Sequence, residues 1–159
     1  MKYERNTTLQ ALISEMPQIM VDEGFVRSIY RDTLGYLTFG FGTLITDEMP
    51  EHGQPEGTPV SDERCIEEFF GELCYQTLAD GPAVFGHRAW DTFPAEAKQV
   101  FLNMAYNMGR SRLSEFKRMI AAAKDHDWAT AATEAKDSRW YGQVKSRAVR
   151  LVTRLEALA

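Results

Sequence analysis

Cysteine, histidine and long apolar runs are all scarce in this 159-residue chain. The two cysteines, Cys65 and Cys74, stand nine residues apart. On one helix that spacing separates them by about 13 Å along the axis and turns them to opposite faces. They cannot bridge across that distance, so they read as two small core residues in a reduced compartment. The three histidines, His52, His87 and His126, are scattered without zinc-like spacing, and no phosphate loop or dinucleotide fingerprint occurs. No metal and no cofactor are expected. No apolar run approaches the roughly 20 residues that span a bilayer, and the opening MKYERNTTLQ lacks the apolar stretch of a secretory signal. The expectation is synthesis in a cytoplasm, with no signal peptide and no stable membrane association. Internal repeats and low-complexity segments are also missing.

What is present describes a globular protein, 44% apolar and 26% charged, of a size for one domain or two small lobes around a shared helix. The net charge of −5 is unevenly spread: residues 1–109 carry −10 and residues 110–159 carry +5. A basic face could draw an anionic polymer; equally, the two halves could complement each other within the fold.

Leu9, Leu12, Ile13 and Met16 have helical spacing, with Thr7 or Thr8 as a cap and Gly24 as a stop. Pro17 either kinks this helix or starts a second one. Residues 25–45 change to strand character, and Asp32-Thr33-Leu34-Gly35 reads as the hairpin turn. Beyond it Leu37, Phe39 and Phe41 alternate with Tyr36, Thr38, Gly40 and Gly42. The second set predicts a face open to close approach by a ligand. Residues 47–60 form a Pro/Gly-rich surface loop. Ser61 caps a helix with Ile66, Phe69, Phe70, Leu73 and Cys74 on its stripe, ending near Gly81. Beyond residue 90 the pattern is helical: Pro94 to Gly109, a helix marked by Leu113, Phe116 and Ile120, Trp128 to about Ala135 capped by Asp127, and a last helix from about Lys145. The fold class is therefore α+β, mainly α: a small N-terminal β-hairpin lobe (about 15–60), a connecting helix (about 61–80) and a helical lobe (about 81–159) packed with the N-terminal helix.

The chemistry concentrates in Glu23 to Gly42. Glu23 ends a helix beside glycine, where partial burial would keep it protonated as an acid. Asp32 starts the turn and Thr38 lies in the next strand. Two carboxyl groups in different environments, with room for a water, are what cleavage of a sugar–sugar bond needs. Each residue alone is unremarkable: a surface glutamate, a turn aspartate, a strand threonine.

Together they fill E-G-x5-Y-x-D-x2-G-x2-T-x-G-x-G with Glu23, Gly24, Tyr30, Asp32, Gly35, Thr38, Gly40 and Gly42. This resembles the catalytic cradle of the phage-type lysozymes, the phage endolysins of glycoside hydrolase family twenty-four. Asn103-Met104-x-Tyr106-x-Met108-Gly109 resembles that family's central buried helix. Ser138-Arg139-Trp140-Tyr141 with Arg147-Ala148 resembles its C-terminal signature. The resemblance covers roughly residues 15–155 and implies a lysozyme-like fold. It also implies hydrolysis of the β-1,4 bond between N-acetylmuramic acid and N-acetylglucosamine in bacterial peptidoglycan. By this resemblance Glu23 matches the general acid, Asp32 the carboxylate that activates water, and Thr38 the hydroxyl that holds it. That is an inverting arrangement, whose carboxyl groups stand about 6.5–9.5 Å apart. Leu44 and Tyr106 match substrate contacts and Arg147 a supporting arginine near the acid. Thr43 stands where family members often carry histidine. The expected partner is peptidoglycan, not nucleic acid. The expected state is a monomer in the host bacterial cytoplasm, which acts on the wall after release to the periplasm by a separate membrane-permeabilising partner. The alternative is a non-catalytic wall-binding or virion-structural module with the same fold, since fold alone does not guarantee activity.

Overall fold

The computed structural model describes residues 6–159. Helix α1 (Thr7–Glu23) opens the described chain and is followed by β1 (Val26–Arg31), β2 (Leu37–Gly40) and β3 (Thr43–Leu44). The rest is helical: α2 (Asp62–Thr77), α3 (Asp80–Phe85), α4 (His87–Thr92), α5 (Ala95–Met108), α6 (Arg110–Leu113), α7 (Lys117–Lys124), α8 (Trp128–Lys136), α9 (Arg139–Val144) and α10 (Ser146–Glu156). The fold is mainly helical α+β with one small antiparallel sheet, ordered β1-β2-β3. Among the described residues no helix is long and apolar enough to cross a membrane.

Pro17 neither ends α1 nor starts a second helix; it lies inside one 17-residue helix. Two short helices, α3 and α4, occupy residues 80–92, a stretch without clear helical periodicity. The segment marked by Leu113, Phe116 and Ile120 divides into α6 and α7.

The chain separates into two compact units. One comprises residues 1–15 with 75–159, the other residues 16–74. The first is built round α5, in which Ala97, Lys98 and every residue from Val100 to Ala105 are buried. A helix apolar on nearly all sides belongs in an interior. Phe85, Trp90, Phe93 and Phe101 pack beside it with ring centroids 4.4–5.9 Å apart. Gly81 is required here, because a Cβ at this position would meet the Trp90 ring at 2.3 Å. The Trp90 indole N–H donates to Thr8 Oγ1 at 2.8 Å, tying the start of α1 into this unit.

A polar network also runs through this unit. Glu15, 2% exposed, accepts from Arg154 Nη1 at 2.8 and 2.9 Å and from Asn103 Nδ2 at 2.8 Å. Asn103 Oδ1 in turn accepts from Arg147 Nε at 2.8 Å. Arg154 also reaches Glu96 and Gln99. A buried charge needs such partners, because desolvating it alone costs several kcal/mol.

The second unit carries the sheet. Phe25 stacks on Phe41 at 4.5 Å, and Phe41 meets Phe69 of α2 at 5.1 Å. Loop 47–60 is pinned to α2 by Arg64, whose guanidinium grips the buried Glu51 with two hydrogen bonds of 2.9 and 3.1 Å and also pairs with Glu68. The Arg64 hydrogen bond holds the Glu51 carboxyl below its ordinary range, against the opposing effect of burial. The far end of this loop makes a single bridge, Pro59 to Ser28, beside β1.

Candidate active site

Antiparallel pairing sets the geometry around Asp32. Tyr30 lies directly across from Thr38, and Thr38 directly across from Leu44. Directly opposed residues point their side chains to the same face of a sheet, as do residues two apart on one strand. Just past β1, the Asp32 N–H donates to the Tyr36 carbonyl at 2.9 Å and continues the ladder. One face therefore gathers Tyr30, Asp32, Tyr36, Thr38 and Leu44. The opposite face holds Ile29 and Phe39, both buried.

The turn was legible because its residues each satisfy a specific requirement. Gly35 adopts φ 86°, a conformation that costs a residue with a side chain free energy. Asp32 Oδ1 accepts from the backbone N–H groups of Leu34 and Tyr36, both at 2.9 Å, the local bonding for which aspartate is favoured in turns. That oxygen is fully engaged. Among the described residues nothing bonds to Oδ2, so half of this carboxylate remains available. Thr38 Oγ1 donates to the Tyr36 carbonyl at 3.0 Å. Its proton is thereby committed, and its lone pairs are left to accept. Burial, and after it the Asp32 carboxylate, push the Tyr30 phenol above its ordinary range.

Glu23 ends α1 in this same unit. It is exposed, not partly buried as expected for a residue next to a helix-stopping glycine that turns the chain. The glycine-lined strand face is also not open throughout. Thr38 is 3% exposed and Gly40 is buried, because a Cβ at Gly40 would stand 2.9 Å from the Cys65 Cβ. Helix α2 makes the close approach that the sequence suggested for a ligand. Leu44 is exposed at the end of β3. Tyr106 and Arg147 belong to the other unit, in α5 and α10; Tyr106 is half-buried and Arg147 buried.

Two features escaped sequence reasoning. The Thr43 hydroxyl is wholly buried without a well-aligned hydrogen bond among the described residues, although it lies near enough to Glu72 to favour that carboxylate. Burial and Glu68 nonetheless push the Glu72 carboxyl above its ordinary range. In the helical unit, a concavity of about 730 Å³ is lined by Met108, Phe116, Met119 and Trp140 with Arg118 and Glu134 among its charged groups. It contains none of the six residues named from the sequence. Its lining does include residues of the segments singled out in the sequence, Met108, Phe116 and Ser138-Arg139-Trp140.

A mainly helical α+β chain whose small hairpin sheet presents an aspartate, a threonine and an exposed leucine on one face, just after a helix-terminal glutamate, falls in the lysozyme-like class. The chain belongs to the phage lysozyme family, whose pattern matches residues 21–157. It is similar to the pre-baseplate central spike protein Gp5 of Enterobacteria phage T4, 28% identical over 82% of this chain and 25% of Gp5. It thus spans a quarter of that protein's length. It is also similar to two proteins of Dictyostelium discoideum named Probable T4-type lysozyme 1 and 2. Each is 25% identical over 85% of this chain and 89% of the relative.

Proposed function

We propose that this protein is a muramidase, cleaving the β-1,4 bond between N-acetylmuramic acid and N-acetylglucosamine of bacterial peptidoglycan by an inverting route. A water places one hydrogen on Asp32 Oδ2 and the other on Thr38 Oγ1, and its oxygen attacks the anomeric carbon. The glycosidic C–O bond breaks as Glu23 gives its proton to the leaving oxygen. Asp32 ends protonated and Glu23 ionised, and exchange with solvent restores both. Leu44, exposed on the same sheet face, contacts the glycan. The observation that carries this reading is the division of labour on the hairpin face. One Asp32 oxygen is locked by two backbone donors while the other is left available, beside a threonine whose proton is already committed. Such a pair can receive a water's two hydrogens.

The protein would act as a monomer on the wall, reaching it from the host cytoplasm with the help of a separate membrane-permeabilising partner. The test is turbidity loss of permeabilised Gram-negative cells and release of reducing ends from purified peptidoglycan. Wild type should clear and release; Glu23→Gln should lose activity by orders of magnitude while remaining folded. A wild type that leaves purified walls uncut would overturn the proposal.

The similarity to a central spike protein supports a second reading, a wall-binding module of a virion that has kept the fold. That reading expects sedimentation with purified walls but no new reducing ends.

A further inference from the structure

Tyr30 belongs to the sequence pattern that runs from Glu23 to Gly42, yet the proposed mechanism gives it no task. It stands directly across from Thr38 and two residues before Asp32, on the face that carries both. It is half-buried, and among the described residues its hydroxyl makes no hydrogen bond within the protein. A phenol on the same face as a carboxylate two residues along its strand and a hydroxyl directly across from it, with its own donor unspent, is poised to meet something that arrives from solution.

A water in attack position forms four contacts. Its two hydrogens go to Asp32 and Thr38 in the reading above, and one lone pair points at the anomeric carbon. The second lone pair is free to accept from a donor, which would fix the water's orientation. Asp32 when ionised can only accept, and the Thr38 proton is taken by the Tyr36 carbonyl. We propose that the Tyr30 hydroxyl is this donor and fixes the orientation of the attacking water, a proposal that rests on the muramidase reading. No proton is transferred from Tyr30; it donates one hydrogen bond throughout. Its raised pKa keeps the phenol protonated across the neutral range, and the Asp32 carboxylate that contributes to that shift must lie close by.

Removing the oxygen alone isolates this role. Tyr30→Phe, assayed on soluble peptidoglycan fragments, should lower kcat about tenfold, the effect of one hydrogen bond. KM should stay within about twofold and the melting temperature should not change, because a contact made to the water does not hold the glycan. Three results would overturn the proposal: kcat unchanged, KM raised at constant kcat, or an activity loss that merely follows a loss of folded protein. These outcomes are separate from failure of the muramidase reading itself. In that case wild type would not cleave, or Glu23→Gln and Asp32→Asn would cleave as well as wild type.

Discussion

Asp32 shows how one residue can serve the sheet and the turn at once and still keep an oxygen to spare. Its backbone N–H extends the sheet ladder, one carboxylate oxygen closes the turn, and the other makes no hydrogen bond among the described residues. The sequence revealed the turn because aspartate and glycine answer local requirements that need no knowledge of the rest of the chain. It did not reveal the exposure of Glu23 or the burial of Thr43, because burial depends on what packs from elsewhere. Glu72 illustrates the energetic side. Its pKa is raised in the folded protein by burial and by Glu68. A carboxyl shifted in this direction contributes stability that is fully present below its unfolded pKa and lost as pH rises through the folded value. Glu72→Gln should therefore melt at the same or a higher temperature than wild type at pH 7, with the gain disappearing near pH 4. A series of thermal melts between these limits checks it, and a variant less stable at pH 7 would contradict it.

Among the elements, helix ends were the most legible. Asp127 was expected to cap a helix beginning at Trp128, and its carboxylate accepts from the Thr130 N–H at 3.0 Å. Gly109, expected to stop a helix, does so with φ 82°. The short helices α3, α4 and α6 were not legible, since four to six residues give too few turns for periodicity to register. The entry to α10 was legible to within a residue: a helix was expected from about Lys145 and runs from Ser146. Lys145 precedes it with φ 55° and ψ −118°, a backbone region in which a side chain is costly. Lys145→Gly should stabilise the protein by about 1 kcal/mol by removing that cost. Urea denaturation monitored by circular dichroism gives the comparison, and an unchanged midpoint would show that the strain is offset locally.

For the molecule as a whole, the sequence foretold the order of parts: a helix, a hairpin sheet, a connecting helix and a helical remainder. The charge split also acquires a structural meaning. Unit 16–74 holds three basic and twelve acidic residues, and the other unit fifteen and eleven. The acidic excess thus lies in the unit with Asp32, and the basic excess in the one with Arg147. The polar network of Glu15, Asn103, Arg147 and Arg154 was invisible in the sequence, because its members are spread from position 15 to position 154. Glu15→Ala strips a buried amide and a partly buried guanidinium of their shared acceptor. It should destabilise the protein by about 3 kcal/mol, with Glu15→Gln less damaging because it keeps an acceptor oxygen. Denaturant midpoints of the two variants should fall in that order.

The Glu15–Arg154 pair joins residues 139 positions apart. A ribosome making this protein must therefore deliver nearly all of it before the helical unit can lock. The 16–74 unit waits for nothing so distant: its stacked phenylalanines and its Glu51–Arg64 clamp lie within a few dozen residues of each other. During translation, the segment bearing Glu23, Asp32 and Thr38 has its own contacts in hand first. The part bearing Tyr106 and Arg147 completes last.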